Sequence, residues 1–293
     1  MSSNGKGPSQ SAEGIALIRM GELMCPEDQR ICNDVYAPFF VNPMIVQFIR
    51  EHPDEAEKRS LEHERRFPGL NNTTVARVRY FDDRVKAALD AGVGQLVILG
   101  AGYDTRAYRI IGADAISVFE VDHPDTQAIK VRKIKEIFGA VPGHVSFVAA
   151  DLAVDDLGER LAAHGFDPAK KTLFLAEGLT MYLPPEEVDR MLASIVRNSG
   201  KGSSVVFDYV PDSVADGTCA DRDGRDFRAE MAGMGEPFLF GIKEGTVEAF
   251  LVRRGFTGVR DVGPDEIKRL YFHGKNAHRQ VCGLIRIAGG VVE

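Results

Sequence analysis

The 293-residue chain has no tryptophan and only four cysteines. Cys25, Cys32, Cys219 and Cys282 are scattered, with no C-x-x-C pair. That spacing argues against a structural zinc and against a disulfide framework, and it fits a reducing cytoplasm. No apolar run approaches the ~18 residues that a membrane span needs. A basic surplus is also missing. Against 43 Asp and Glu stand 36 Lys and Arg, a net charge of −7, whereas a protein that grips nucleic acid by its phosphates has the opposite balance. The first fourteen residues, MSSNGKGPSQSAEG, lack the apolar core of a secretory signal and read as a disordered tail. Hydrophobic residues at 44% and charged residues at 27% are ordinary globular proportions. These absences leave a cytoplasmic, mildly acidic enzyme or small-molecule binder, with neither nucleic acid nor membrane as a partner.

Two kinds of organisation succeed one another along the chain. From Ile15 to about residue 72 the pattern is helical: GIALIRMGELM, then PMIVQFIREH with Pro43 as a first-turn proline, then the charged AEKRSLEHERRF. TVARVRYFDDRVKAALDAG is a longer helix, with apolar residues at Val75, Val78, Phe81, Val85 and Leu89 and Gly92 ending it. After it, short continuous apolar runs alternate with helices. QLVILG, AISVFEVD, HVSFVAAD, KTLFLAEG and SSVVFDYV read as strands buried on both faces. TQAIKVRKIKEIFGA, DLGERLAAHGF and PPEEVDRMLASIVRNSG read as the helices between them. The alternation predicts an α/β fold, a doubly wound parallel sheet with right-handed crossovers. Residues 211–245 break the rhythm and read as a partly helical insertion. GTVEAFLVRRGF is a further helix, and VRDVG and QVCGLIRIA are candidates to pair as terminal strands. Length alone suggests two domains or one large one. The pattern favours a tail (1–14), a helical cap (15–72) and one core (73–293) carrying the insertion as a substrate-facing cover.

The residues suited to chemistry lie at predicted strand ends. GAGYDTR follows the first strand, and its Gly100 and Gly102 let backbone approach a ligand closely. Asp104 and Thr105 also suit a helix cap. Glu120 and Asp122 end the second strand, ~20 residues after the glycines, where an acid accepts bonds from ribose hydroxyls; the alternative is a solvated strand end. His123 beside Pro124 reads as structural. Asp151, beyond the third strand, suits an adenine amino group or a helix cap. Glu177 and Tyr182 in AEGLTMYL follow the fourth strand and face the crevice where open α/β sheets bind ligands. A buried Glu177 requires a partner. The set suits a nucleoside cofactor. The dinucleotide pattern calls for a third glycine where Thr105 stands, which weakens NAD and favours S-adenosylmethionine. KVRKIK at 130–135 reads as a solvated helix face.

With DVYAPFFV at 34–41, ARV at 76–78, LGAGYDTR at 99–106, FEVDHP at 119–124, AADL at 149–152 and AEGLTMYL at 176–183, the chain resembles the leucine carboxyl methyltransferase family, nearest its bacterial and polyketide-tailoring branch. The resemblance implies a Rossmann-like class I fold and S-adenosyl-L-methionine as cofactor. It implies that Arg77 binds the methionine carboxylate, that Gly100, Ala101 and Gly102 lie against the methionine moiety with Asp104 as a further cofactor contact, and that Asp122 holds the ribose with Glu120 beside it. Asp151 and Leu152 frame the adenine. Glu177, with Gly178 beside it, meets the amino group, and Tyr182 and Tyr209 line the substrate side. Arg19 matches an element of the N-terminal helix. Residues 211–245 match nothing in the family pattern, so the acceptor stays open.

The expected activity is O-methylation of a carboxylate or hydroxyl of a small metabolite. A carboxylate, ionised at neutral pH, needs orientation and exclusion of water rather than a base. For a hydroxyl acceptor the candidate bases are His273, His278 and Asp208, against the favoured alternative that they are surface-loop histidines and a strand-end carboxylate. Methylation of a protein C-terminus is the alternative within the fold. An NAD(P)-dependent oxidoreductase and a non-catalytic nucleoside-binding protein are the alternatives outside it.

Overall fold

The computed structural model describes residues 10–293. The cap comprises α1 (Gln10–Glu22), α2 (Pro43–Glu51) and α3 (Pro53–Arg66). The tail expected at 1–14 lies outside the described residues as far as residue 9; from Gln10 onward the chain is already helical. Asn42 caps α2 by accepting from the Met44 N–H at 2.9 Å, and Pro43 follows as its first residue. α4 (Leu70–Asp90) is the long helix read from its apolar spacing.

The sheet then builds in βα units: β1 (Gln95–Leu99), α5 (Arg106–Arg109), β2 (Ser117–Asp122), α6 (Pro124–Phe138), β3 (Val145–Ala149), α7 (Leu157–Ala162), β4 (Thr172–Ala176), α8 (Pro185–Arg197) and β5 (Ser204–Tyr209). The insertion contributes α9 (Asp212–Asp216) and α10 (Arg222–Gly233). α11 (Val247–Val252), β6 (Phe256–Val262), α12 (Pro264–Tyr271) and β7 (Arg286–Val292) complete the chain. α12 has no counterpart in the sequence reading, because PDEIKRLY is short and half charged.

The described strands form one sheet in the order β3-β2-β1-β4-β5-β7-β6. All neighbours are parallel except at β7, which runs antiparallel to β5 and β6. Strand order reverses between β1 and β4, which is where such sheets open a crevice at their carboxyl ends. β1 and β4 are buried throughout because helices cover both faces. α7, α8 and α11 pack on one face, against Val97, Leu99, Phe174, Ala176, Phe207 and Tyr209. α4, α5 and α12 pack on the other, against Leu96, Ile98, Leu173, Leu175 and Val206. Side chains alternate along a strand. The residues one step beyond Ala176 and Phe207, namely Glu177 and Asp208, are therefore directed to the face that α4 covers.

Candidate functional site

The first strand ends in the glycine turn. Gly100 adopts φ +60°, and a Cβ there would stand 2.8 Å from the Leu179 side chain, so the turn is closed to larger residues. The Ala101 N–H donates to the Val121 carbonyl, tying the turn to β2. The Gly102 N–H donates to Asp122 Oδ2, and the His123 N–H donates to Asp122 Oδ1 at 2.6 Å. Burial raises the Asp122 carboxyl above its ordinary range, against the two amide bonds that lower it. Asp122 keeps part of its surface, at the crevice rim.

Across the crevice, α4 delivers Arg77. Its Nη1 lies 2.6 Å from Asp208 Oδ2 and its Nε 3.0 Å from Glu177 Oε1. The second oxygen of Glu177 meets Arg106 Nη1 at 2.7 Å. This answers the requirement for a partner: Glu177 has two. Arg106 continues to Asp82 at 2.8 Å and to Asp104, and Arg109 grips Asp82 at 2.6 Å. At the cap, Arg19 pairs with Asp34 at 2.8 Å and donates to the Tyr103 carbonyl at 2.8 Å. A chain of buried ion pairs thus runs behind the glycine turn from β5 to α1. Asp34, Asp82, Arg106 and Arg109 were not singled out in the sequence. One signal was available: Arg77 and Asp82 sit four residues from Phe81 and Val78 respectively, on the apolar face of α4.

Several expected site residues lie elsewhere or do other work. Asp104 is turned to Arg106, not to the crevice. Burial raises its carboxyl, but Arg106, Lys130 and Arg109 outweigh that and hold it at about 2. Its Oδ1 also accepts from the N–H of Arg106, the first residue of α5, at 2.7 Å. Glu120 is buried beneath the turn, with Lys130 Nζ 2.7 Å away. It does not reach the strand end where Asp122 lies, because it sits two residues deeper in β2. Lys130 therefore departs from the solvated face expected for KVRKIK: it is fully buried and donates to the Ala101 carbonyl at 3.4 Å. Asp151 closes a turn by accepting from the Ala153 N–H at 3.0 Å, while the cap of α7 is Asp156. Leu152 packs against the main core.

The candidate bases fare as follows. Asp208 is fully buried, and its oxygens accept from Arg77 and from the Gly178 N–H at 2.6 Å. Tyr209 points to the opposite face, where its hydroxyl donates to Asp261 Oδ1 at 2.9 Å; it does not line a substrate site. His273 and His278 are exposed in the segment whose Arg279 grips Glu22 at 2.7 Å. Glu22 ends α1, about 15 Å along the helix from Ala12, which lies against the Gly102 position. Both histidines are therefore remote from the crevice. Tyr182 follows β4 on the side of the crevice where Arg77 lies. It is half-buried beside Phe238, and burial raises its hydroxyl, with Glu236 adding to the rise and Arg77 opposing it.

Burial pushes Glu120 up to about 7, with Lys130 opposing, from an ordinary value of 4.5. Between those values the folded state holds a proton that the unfolded chain has released. The contribution of Glu120 is therefore present below pH ~4.5 and is lost as pH rises through about 7. Melting temperatures measured from pH 4.5 to 8 should show Glu120→Gln flattening the decline relative to wild type. An unchanged slope would contradict this.

Comparison with known proteins gives a consistent picture. The family described as leucine carboxyl methyltransferase matches residues 12–196. Relatives named as S-adenosyl-L-methionine-dependent methyltransferases include one from Mycobacterium avium (strain 104). It is 35% identical over 202 residues, covering 67% of this chain and 65% of the relative. A second from the same strain is 32% identical over 262 residues, covering 87% and 84%. The chain thus spans just under two thirds of the first relative's length and most of the second's. Among solved structures, a duf574 family protein from Streptomyces avermitilis shares the fold over 98% of both chains, with a TM-score of 0.63 at 14% identity. A methyltransferase structure from Thermobifida fusca covers 78% of this chain and 85% of its own, with a TM-score of 0.57 at 16% identity.

Proposed function

The chain belongs to the leucine carboxyl methyltransferase family, and from that premise we propose that it is an S-adenosylmethionine-dependent O-methyltransferase acting on a carboxylate or hydroxyl of a small metabolite. The observation that carries this reading is the constellation at the switch-point crevice. On one side Asp122 is fastened to the glycine turn; on the other Arg77 is braced by Glu177 and Asp208.

The residues present fit such a cofactor. Gly178 leaves space in front of the Arg77 guanidinium, and a Cβ there would lie 3.8 Å from Arg77 Nη2. Nη2 is outside the two ion pairs of Arg77, which leaves it to receive the methionine carboxylate. Each Glu177 oxygen accepts one arginine bond and keeps a second lone pair for the ammonium group. Asp122, at the end of β2, is placed to accept from the ribose hydroxyls, and the turn that Asp151 closes beyond β3 would border the adenine with its backbone. Asp104 and Glu120 hold the site from behind. When bound, the cofactor supplies an electrophilic methyl group on a cationic sulfur.

The chain's own task is then positioning. Methyl transfer needs the acceptor oxygen in line and about 3–3.5 Å from the methyl carbon. Tyr182 and Phe238 border that side and exclude water. The expected bases are remote or engaged, which supports an acceptor that is already anionic, a carboxylate. The acidic surface disfavours nucleic acid. A cytoplasmic setting agrees with four free cysteines. It also agrees with the finding that no helix among the described residues is long and apolar enough to cross a membrane.

S-adenosylhomocysteine at 100 times its dissociation constant should stabilise the fold by about 2.7 kcal/mol. No thermal shift on adding it would sink the cofactor assignment. Products formed from a panel of acids and phenols should be base-labile esters. If only base-stable ethers formed, the carboxylate preference would be wrong.

A further inference from the structure

The end of the insertion reaches back over the crevice. Beyond α10, Gly235 turns the chain with a φ of +78°, and the Glu236 N–H donates to the Met231 carbonyl at 3.0 Å. The Leu239 N–H then donates to the Met181 carbonyl at 2.7 Å, which ties this segment to the turn after β4. Phe238 packs on Tyr182 with ring centroids 5.7 Å apart. Glu236 stands two residues before Phe238, and its charge acts on the Tyr182 hydroxyl together with that of Arg77.

The first turn of α1 meets the same carboxylate. Glu236 Oε1 accepts from the Ser11 N–H at 3.4 Å, one of the donors at a helix start that have no partner within the helix. The next residue, Ala12, lies against the glycine turn, 3.4 Å from where a Gly102 Cβ would stand. One carboxylate is thus held between the glycine turn and Tyr182, and it keeps part of its surface. It comes from residues 211–245, the stretch that the family pattern does not account for. A carboxylate there sets a condition on the acceptor. A second carboxylate brought up beside it meets like charge, which opposes binding unless a donor on the incoming molecule stands between the two. An ionised carboxylate only accepts hydrogen bonds, and bonds to it are among the stronger ones.

We propose, resting on the methyltransferase reading above, that Glu236 selects the methyl acceptor by receiving a hydroxyl or ammonium donor carried next to the carboxylate that is methylated. The acceptor class is then a hydroxy acid or an amino acid, and a simple carboxylic acid is a poor ligand.

Calorimetry on the full chain saturated with S-adenosylhomocysteine tests this with three acids of one shape: 3-phenylpropionate, 3-phenyllactate and phenylalanine. One or both of the acids that carry a donor should bind at least tenfold more tightly than 3-phenylpropionate, the scale of a hydrogen bond to a charged group. A gain for one of them alone identifies the donor that the site takes. Glu236→Ala should abolish the gain. Glu236→Gln keeps an acceptor oxygen and loses the charge, so it should retain a hydroxyl's gain better than an ammonium's. Glu230→Gln, elsewhere in the insertion where Glu230 pairs with Arg66 at 2.7 Å, should leave the gain intact. S-adenosylhomocysteine titrated into each variant confirms a folded crevice. Three results would overturn the proposal while the cofactor still binds: no binding of any of the three acids, donor acids no tighter than 3-phenylpropionate, or a gain that persists in Glu236→Ala. A Glu236 that only fastens α1 predicts the last of these, with a lower melting temperature and unchanged preference among the acids. Failure of wild type to bind S-adenosylhomocysteine would instead refute the methyltransferase reading.

Discussion

Arg106→Met should cost the fold about 3–5 kcal/mol, the range for removing one partner of a buried ion pair. For a chain of this size that corresponds to a melting temperature about 5–8 °C lower. The side chain is buried among acids. Nε reaches Asp82 at 2.8 Å, Nη1 reaches Glu177 at 2.7 Å and also Asp104, and Nη2 donates to the Val78 carbonyl at 3.0 Å. Methionine fills similar volume and stays apolar, so the packing against Phe81 survives and the loss is electrostatic. Asp82 keeps Arg109 and Glu177 keeps Arg77, but the Asp104 carboxylate loses the arginine that does most to hold it down. With that charge gone, burial dominates and Asp104 takes up a proton more readily. Wild-type stability from this group is present above the unfolded carboxylate value and lost as pH falls toward about 2. The variant should lack that acid limb. Arg66→Met is the control, because its pair with Glu230 is largely exposed and such pairs contribute about 0–1 kcal/mol. Equal effects of the two substitutions in denaturant titrations would show that the buried network is not what holds the glycine turn.

That network marks where the sequence stops being legible. The strands could be read because the central ones are buried on both faces, and QLVIL and TLFLA each carry four apolar residues in a row without polar alternation. The strand-end acids could be read because a motif position fixes its neighbours in sequence. The pairings could not. Arg77 meets Glu177 and Asp208 across 100 and 131 residues, and neither local spacing nor propensity carries information at that range. Lys130 shows the same limit in a different form. Four of the six residues in KVRKIK are basic, as on a wet helix face, yet one turn of α6 faces the sheet and buries that single lysine over Glu120. His273 and His278, suitable chemistry that also reads as surface-loop histidines, are exposed in a segment that folds against the far end of α1. α12 was missed because PDEIKRLY fully buries only Ile267, with Tyr271 packed beside it.

Asp122→Ala should weaken S-adenosylhomocysteine binding by about two orders of magnitude or more, with little loss of fold stability. Hydrogen bonds to a charged group contribute about 1.5–3 kcal/mol each, two ribose hydroxyls are at stake, and each ~1.4 kcal/mol is tenfold in affinity. The same carboxylate also accepts the Gly102 N–H, so its loss frees the turn against which the methionine moiety rests. Asp122→Asn separates the two roles. Its amide keeps one acceptor oxygen for Gly102 and loses the charge, so it should retain the turn and fall between wild type and alanine in affinity. Because burial raises the Asp122 carboxyl, wild-type affinity should decline toward acidic pH as the group protonates, and the asparagine variant should show less of that decline. Calorimetric titration between pH 5 and 8, with circular dichroism to confirm folding, reads both. Alanine affinity within threefold of wild type would remove Asp122 from the ribose. NADH titrated in parallel separates the cofactors, since an acid at this strand end also suits a dinucleotide; tighter binding of NADH than of S-adenosylhomocysteine would turn the assignment of the whole crevice.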